Sequence, residues 1–338
     1  MTTLVGSYPQ PEWLVDRELL GAVPPARVPT PELWRLPVGL RQLGQDDATL
    51  LALRDMERAG IDVVTDGEIR RESYSNYFAP RLAGMDVEQP GVVPGRTGRP
   101  IRVPRVTGPI RRPGPVLVDD VRFVKANTSR PLRMTVPGPF TLAQQCQDQW
   151  YGDDRALALD LAGAVNAELR DLKEAGADIV QLDEPYLQAR PEQARRYALE
   201  VVQRALQGIP GPTAVHTCFG YAHVVHDRPA GYPFLDELSD CAADQISIES
   251  AQQRLDPSIV ARLGRKEVIL GVLDLADGSP VEPGEVVAER VRLALRHIEP
   301  DRLWLAPDCG MKYLPRDVAF GKLCSLVAGR DLVRRELS

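Results

Sequence analysis

The 338 residues are 43% hydrophobic and 26% charged with a formal net charge of -6, the proportions of a soluble globular chain with material for a large core. The acidic balance excludes a general nucleic-acid surface, which needs a basic excess, and no apolar run approaches the roughly 18 residues that span a bilayer. Five widely spaced cysteines, an odd number, and an N-terminal segment without a basic or long apolar leader pattern predict reduced thiols in a cytoplasmic protein, with neither nucleic acid nor membrane as partner.

In chain order, short β-branched or apolar runs recur at Leu4–Val5, Ile61–Thr65, Leu132–Val136, Ile179–Leu182, Ala214–His216, Gln245–Ile248, Val268–Val272 and Leu303–Ala306. Helical patterns alternate with them. Between Arg155 and Glu174, Leu157, Leu161, Val165, Leu169 and Leu172 share one face, and Gly176 closes the end; Pro191 opens a helix to Leu206, and Glu282–His297 repeats the pattern. Near-continuous apolar strands alternating with helices mark a parallel sheet, and eight such units predict an α/β fold of the (β/α)8 TIM-barrel class. Two stretches break the rhythm, Trp13–Gln45 and Pro80–Ser129. The second is proline-rich, with alternating runs at Ile101–Val103 and Val116–Val118, and reads as a hairpin-like excursion over the barrel mouth. The expected organisation is one barrel domain over residues 1–338, elaborated at the C-terminal face, with the excursion at about 80–129.

Barrel active sites lie at the C-terminal ends of the strands, so the residue that closes each run is a candidate by position. These ends are polar: Gly6-Ser7, Asp66-Gly67-Glu68, Pro137-Gly138-Pro139, Asp183-Glu184, His216-Thr217-Cys218, Glu249-Ser250, Asp274 and Asp308-Cys309-Gly310. Two thiols, an imidazole and a carboxylate at His216, Cys218, Glu249 and Cys309 suit Zn2+, a borderline-soft ion that prefers thiolate and imidazole. Their spacing is too loose for a zinc finger, and taken alone His216 and Cys218 read equally as packing residues. Asp66-Gly67-Glu68 and Asp183-Glu184-Pro185 also have a plain reading as turns. Arg70, Arg71 and Lys312 read as solvated loop charges or partners of Glu72 and Asp308, with an anion-binding site nearby as the other reading. Arg96, Arg99, Arg102, Arg105, Arg111 and Arg112 make the excursion locally basic, which fits a solvated hairpin or a surface for an anionic partner. Trp150 and Tyr151, Asp274, His223 and His226 are weaker candidates for contact with a second substrate.

Val5-Gly6-Ser7-Tyr8-Pro9, Asp66-Gly67-Glu68, Thr135-Val136-Pro137-Gly138-Pro139-Phe140-Thr141, Gln181-Leu182-Asp183-Glu184-Pro185, His216-Thr217-Cys218 and Pro307-Asp308-Cys309-Gly310 resemble, in order and over nearly the whole chain, the catalytic half of cobalamin-independent methionine synthases. That superfamily also holds short single-barrel members and epoxyalkane:coenzyme M transferases. The resemblance implies zinc ligands at His216, Cys218, Glu249 and Cys309, with Glu249 the most exchangeable, and Glu249 and Asp183 as catalytic residues. It implies that Glu68 and Asp183 bind the ammonium of homocysteine while the backbone at Gly6 and Ser7 holds its carboxylate. The implied reaction is methyl transfer to homocysteine, giving methionine, from a methyl-folate or methyl-corrinoid donor. Partners are then a small thiol and a methyl donor, with a homo-oligomer left open. Two other readings stand beside it: transfer of a coenzyme M-like thiol to an epoxide or other small electrophile, and a zinc hydrolase. The acids at 68 and 183 speak against a sulfonate thiol, and two thiolates would blunt a hydrolytic metal.

Overall fold

A computed structural model describes residues 1–22, 25–96, 98–221, 223–225 and 231–337. Six strands, Arg133–Pro137, Ile179–Asp183, Thr213–Thr217, Gln245–Ile248, Glu267–Leu273 and Leu303–Pro307, form one parallel sheet in sequence order. Two short segments close it. Thr2 bridges Leu305, Thr3 bridges Val63 and Val64 bridges Leu132, all parallel, with Thr3 N donating to Leu305 O at 3.0 Å and Arg133 N to Val64 O at 2.8 Å. The ring of eight parallel segments is the predicted TIM barrel, and the first two segments are simply shorter than the rest.

Successive side chains of a strand point to opposite faces, so alternate residues enter the barrel. One inward set, Val5, Val63, Ile179, Ala214, Ile269 and Ala306, packs as an apolar layer against Trp304. A polar set shares the interior: the fully buried Arg133 donates to Gln181 Oε1 at 3.0 Å and Gln245 Oε1 at 2.9 Å, and Gln245 passes the chain on to Glu267. Burial lowers the Arg133 guanidinium to about 9. The outer faces of the strands meet the helices.

The helix Asp154–Glu174 buries Leu157, Leu161, Val165, Leu169 and Leu172 on one face, and the Asp153 side chain caps it by accepting from Arg155 N and Ala156 N. Pro191–Leu206 keeps its predicted bounds. The third helix is shorter than predicted, Gly284–Ala294, because Pro283 is extended at φ -60 and ψ 149 and Glu282 turns away from it. Glu282 instead accepts from Asp274 N at 2.8 Å and from Lys322 Nζ at 2.7 Å.

The two excursions contain more order than expected. The first holds a helix Arg17–Ala22 and a turn Pro31–Leu33, and its last residues already belong to the helix Val38–Ala59. In the second, Ala83–Pro94 and Pro100–Arg111 pair antiparallel with Val93 opposite Ile101, so the hairpin is present. Val116–Val118 is not a strand; Val118 begins the helix Val118–Asn127. The reason lies in Glu168. It is fully buried, accepts from Val116 N at 3.1 Å and Leu117 N at 2.7 Å, and pairs with Arg112, so the chain is turned into a helix start instead of running on. Glu168→Ala, which strands these donors and leaves Arg112 with Asp171 as its only carboxylate among the described residues, should cost about 3 kcal/mol of stability, read as a lower denaturant midpoint at unchanged slope. Among the described residues, no helix is long and apolar enough to cross a membrane.

Candidate active site

Strand register sets the site. Asp183 pairs with His216, and His216 pairs with Ser247, so three inward polar side chains stand in one row near the C-terminal ends of strands four to six. Cys218 and Glu249 follow two residues further along their strands, and Cys309 arrives from beyond the end of strand eight. The ligand atoms of His216, Cys218 and Cys309 all lie within 4.8 Å of one another, and all three residues are buried.

The donor set fits a zinc ion. Ser247 Oγ lies 2.9 Å from His216 Nδ1, which fixes the ring, while His216 Nε2 is buried with no hydrogen-bond partner. The sulfurs of Cys218 and Cys309 are 3.8 Å apart. Two sulfurs on one tetrahedral zinc, each about 2.3 Å from it, stand about 3.8 Å apart, whereas a disulfide needs about 2.05 Å. The Cys309 thiol donates to Cys218, which holds the Cys218 thiol well below its ordinary range and drives that of Cys309 well above. Burial acts to lower the His216 imidazole, but Cys218, Asp183 and Glu249 outweigh it and the pKa is raised.

Glu249 is fully buried beside this group without joining it. Its carboxylate accepts from Phe219 N and, at 3.1 Å, from Gln253 Nε2, while its backbone N–H donates to Tyr232 Oη at 2.8 Å.

Across the mouth, Gly6, Ser7, Glu68 and Asp183 line the same cavity as the cluster, a space of about 680 Å³. Glu68 sits in a left-handed conformation, φ 51, directly after Gly67 at φ 65, so the triplet Asp66-Gly67-Glu68 is both the turn and the site. Glu68 Oε1 accepts from Thr135 Oγ1 at 3.1 Å, and Oε2 is buried without a partner. Gly6 makes room for this carboxylate, since a Cβ there would stand 2.7 Å from Glu68 Oε1. Burial raises the Glu68 pKa against the pull of Arg71 and Lys312. Asp183 accepts from Gln181 Nε2 at 2.7 Å, and burial pushes it up to about 7 despite His216. Two buried carboxylates with raised pKa values and spare acceptor capacity suit a cation that supplies donors.

Other acids at this face are structural. Glu184 accepts from Phe140 N at 2.9 Å and Thr141 N at 2.8 Å, capping the helix Pro139–Gln144, and Gly138 is required because a Cβ would meet Glu184 Cδ at 2.2 Å. Asp308 gathers the N–H groups of Ser250, Ala251 and Gln252 at 3.2, 3.0 and 2.7 Å. Asp274 caps Ala276 N at 2.8 Å and lies outside the cavity lining.

The reading of Arg70, Arg71 and Lys312 as solvated charges is overturned. Arg70 bridges Asp46 at 2.6 Å and Asp120 at 3.2 Å, Arg71 is 1% exposed and pairs with Asp66 at 2.9 Å, and Lys312, also 1% exposed, donates to Arg71 O at 2.6 Å. They brace the loop that presents Glu68; burial lowers the Lys312 ammonium to about 8. The basic hairpin divides. Arg102 and Arg111 are exposed, Arg105 pairs with Asp86, Arg112 is locked on Glu168, and Arg96 and Arg99 line the cavity. Trp150 is 58% exposed and Tyr151 is engaged by Asp160 and Ile110 N, both away from the cavity. His223 lines it but is held between Asp277 Oδ2 at 2.9 Å and Gly21 O at 3.0 Å; His226 lies outside the described residues.

Sequence reasoning missed Ser247, Arg27, Tyr74, Tyr186 and Tyr221. Ser247 carried a signal, a polar residue between Ile246 and Ile248 at the same inward parity as Glu249. Tyr186 opens the helix Tyr186–Ala189 directly after Asp183-Glu184-Pro185 and Tyr221 follows Cys218 by three residues, so both adjoin motifs already visible in the chain, whereas Arg27 and Tyr74 come from loops whose course has no local signature.

The sequence model of the family described as "Cobalamin-independent synthase, Catalytic domain" matches residues 1–329. The chain is 35% identical over 338 residues to a methionine synthase of Sulfurisphaera tokodaii, covering 99% of this chain and 93% of that one, and 32% identical over 339 residues to that of Thermococcus kodakarensis, covering 100% and 94%. A B12-independent methionine synthase from Shewanella sp. W3-18-1, solved in complex with selenomethionine, superposes with a TM-score of 0.90 at 32% identity, covering 99% of this chain and 98% of that one. With the ordered strand-end motifs gathered at one barrel mouth and these matches running almost end to end, the chain belongs to the cobalamin-independent methionine synthase family of methyltransferases, as its catalytic domain.

Proposed function

We propose that the chain is a zinc-dependent thiol methyltransferase that converts homocysteine to methionine, with residues 1–338 acting as one barrel domain. The observation that carries this is the pairing in one cavity of a soft His-Cys-Cys ligand group with two buried, cation-seeking carboxylates. His216 through Nε2, Cys218 and Cys309 would hold the metal, with Glu249 as the exchangeable fourth group. When bound, zinc supplies the Lewis acidity that makes a thiol available as its anion at neutral pH.

The chain's own residues supply placement. Glu68 and Asp183 receive the acceptor's ammonium, and the main chain at Gly6 and Ser7 receives its carboxylate, which leaves the side-chain sulfur facing the cluster. Ser247 keeps the His216 ring turned so that Nε2 stays free for the metal. Glu249 would be the exchangeable fourth group toward the metal, its carboxylate held beside the cluster by Phe219 N and Gln253 Nε2. The complex of the Shewanella relative with selenomethionine supports an amino acid of this size as ligand. The donor is a methyl-folate or a methyl-corrinoid, and the unpaired thiols fit a cytoplasmic setting.

A matrix of thiols (homocysteine, coenzyme M, cysteine) against methyl donors, read by mass spectrometry, tests the reading. Methionine should form from homocysteine with one of the two donor classes and no thioether from coenzyme M. Coenzyme M as the sole productive thiol, or hydrolysis without thiol alkylation, overturns it.

A further inference from the structure

Both ring nitrogens of His223 face oxygens. Nδ1 lies 2.9 Å from Asp277 Oδ2 and Nε2 lies 3.0 Å from Gly21 O, and the ring stacks on Tyr313 with centroids 5.1 Å apart at 17°. A neutral imidazole carries one N–H, so either tautomer would leave a nitrogen lone pair against an oxygen lone pair. The imidazolium donates at both ends, and its bond to the carboxylate is charge-assisted. Gly21 stands in the last turn of the helix Arg17–Ala22, where carbonyls lack partners within the helix. With both nitrogens engaged, the ring has no proton to spare for a substrate. It joins three segments of the mouth instead: that helix, the loop after the strand Glu267–Leu273, and the turn that follows Cys218.

That turn is closed by Val224 N and Val225 N, each donating to Tyr221 O at 2.9 Å. Tyr221 lies edge-on to Tyr313, with centroids 5.0 Å apart at 74°, and its Oη is 3.5 Å from Ser7 Oγ. The helix side is fixed independently, because Arg17 donates to the carbonyls of Lys312, Tyr313 and Leu314 at 2.7, 3.1 and 2.8 Å, so the part that depends on His223 is the Tyr221 turn. We propose that His223 is a positioning residue: as an imidazolium it clasps the Tyr221 turn to the helix Arg17–Ala22 and to Asp277, which seats Tyr221 beside Ser7, and the clasp opens when the ring loses its proton. The consequence for the acceptor, whose carboxylate is assigned to the main chain at Gly6 and Ser7, rests on the transferase reading; the clasp stands without it. The groups around the ring agree with a cation there. Among the described residues, Asp277 is the carboxylate paired with it. Burial raises the Tyr221 and Tyr313 hydroxyls, which keeps both rings neutral. Glu18 of the helix is exposed, Asp274 accepts from Ala276 N, and Lys312 donates to Arg71 O. The Gly21 carbonyl, followed by Asp277, raises the His223 pKa against a loss from burial.

A ring that holds its proton more tightly when folded stabilises the clasp fully below the ordinary imidazole range, and that contribution is lost as pH rises through the folded value. Proton NMR of the imidazoles tests the charge. The chain has four histidines, and the signal missing from His223→Gln identifies the ring. It should titrate above the ordinary imidazole value in the wild type and lower in Asp277→Asn, which removes the charge and keeps an oxygen. Calorimetric titration with L-methionine tests the positioning, with each protein loaded with zinc to the same content. Asp183 and Glu68 have raised pKa values in the same cavity, so the readout is the ratio of the His223→Gln Kd to that of the wild type, in which their contribution cancels. That ratio should be about fivefold or more at about pH 6 and fall to about one at about pH 8.5. Asp277→Asn should match the wild type in mild acid and lose affinity at a lower pH. A His223 ring that titrates at or below the ordinary value, a titration that Asp277→Asn leaves in place, or a Kd ratio that is the same at both pH values overturns the clasp. A wild type that binds no L-methionine would defeat the acceptor reading alone, and the titration of the ring in wild type and Asp277→Asn would still decide the clasp.

Discussion

Cys309→Ala should lower zinc affinity at least about 100-fold and reduce methyl transfer in proportion, while the barrel stays folded. The sulfur it removes stands 3.8 Å from that of Cys218, within the group whose donor atoms lie within 4.8 Å of one another, so its loss leaves one thiolate and one imidazole, too few to close a tetrahedron. The structural cost is small, because Cys309 follows the end of strand eight and the substitution deletes a single heavy atom. Glu249→Gln makes the contrast. Glutamine keeps an oxygen for the Phe219 N–H, and the carboxylate it replaces is outside the close group, so zinc affinity should fall by less than about tenfold. Metal analysis after dialysis against a graded chelator separates the two variants. Full retention of zinc by Cys309→Ala would remove the eighth-strand residue from the ligand set, and equal losses in both variants would make Glu249 a full ligand rather than an exchangeable one.

The difference between those two residues could not be read from the chain, although both were visible as candidates. Strand order was legible because parallel barrel strands are buried on both faces and therefore appear as short unbroken apolar runs, and the residues just past them inherit a place at the mouth. That logic found His216, Cys218, Cys309, Glu68 and Asp183 together, although 241 positions separate the first and last of these in the sequence. It did not say which acids serve the site and which serve the fold. Glu184 and Asp308 stand at equivalent places and hold backbone N–H groups, a role set by the path of the following loop. Loop charges were misread for the same reason: Arg71 and Lys312 look solvated in a string of polar residues, and only the fold brings Asp66 and the Arg71 carbonyl to them. Arg27 reaches the cavity on a loop far in sequence from Tyr186, the first residue of the helix Tyr186–Ala189, and no periodicity encodes that meeting.

Glu68→Gln should raise the acceptor's KM about 10- to 100-fold, leave zinc content unchanged, and leave the ligand-free protein at least as stable as the wild type. The opposite signs follow from one fact. Glu68 is 2% exposed, its Oε2 has no partner, and burial raises its pKa, so in the absence of ligand the carboxylate is a buried charge that folding disfavours. A carboxyl that holds its proton more tightly when folded loses stability as pH rises from the ordinary glutamate range toward the raised folded value. Replacing it with an amide removes that loss. The Tm advantage of the variant should therefore be present at neutral pH and vanish below about pH 4, where both states of the wild type are protonated. Binding reverses the balance, because an ammonium that donates to Oε2 needs the charge the fold resists, and glutamine cannot supply it. Gly6→Ala probes the same carboxylate sterically: a Cβ 2.7 Å from Oε1 must displace it, and should raise KM without the gain in stability. A Glu68→Gln protein with unaltered acceptor KM would exclude the ammonium contact, and one with a clearly lower Tm at neutral pH would show that Glu68 is held there for the fold.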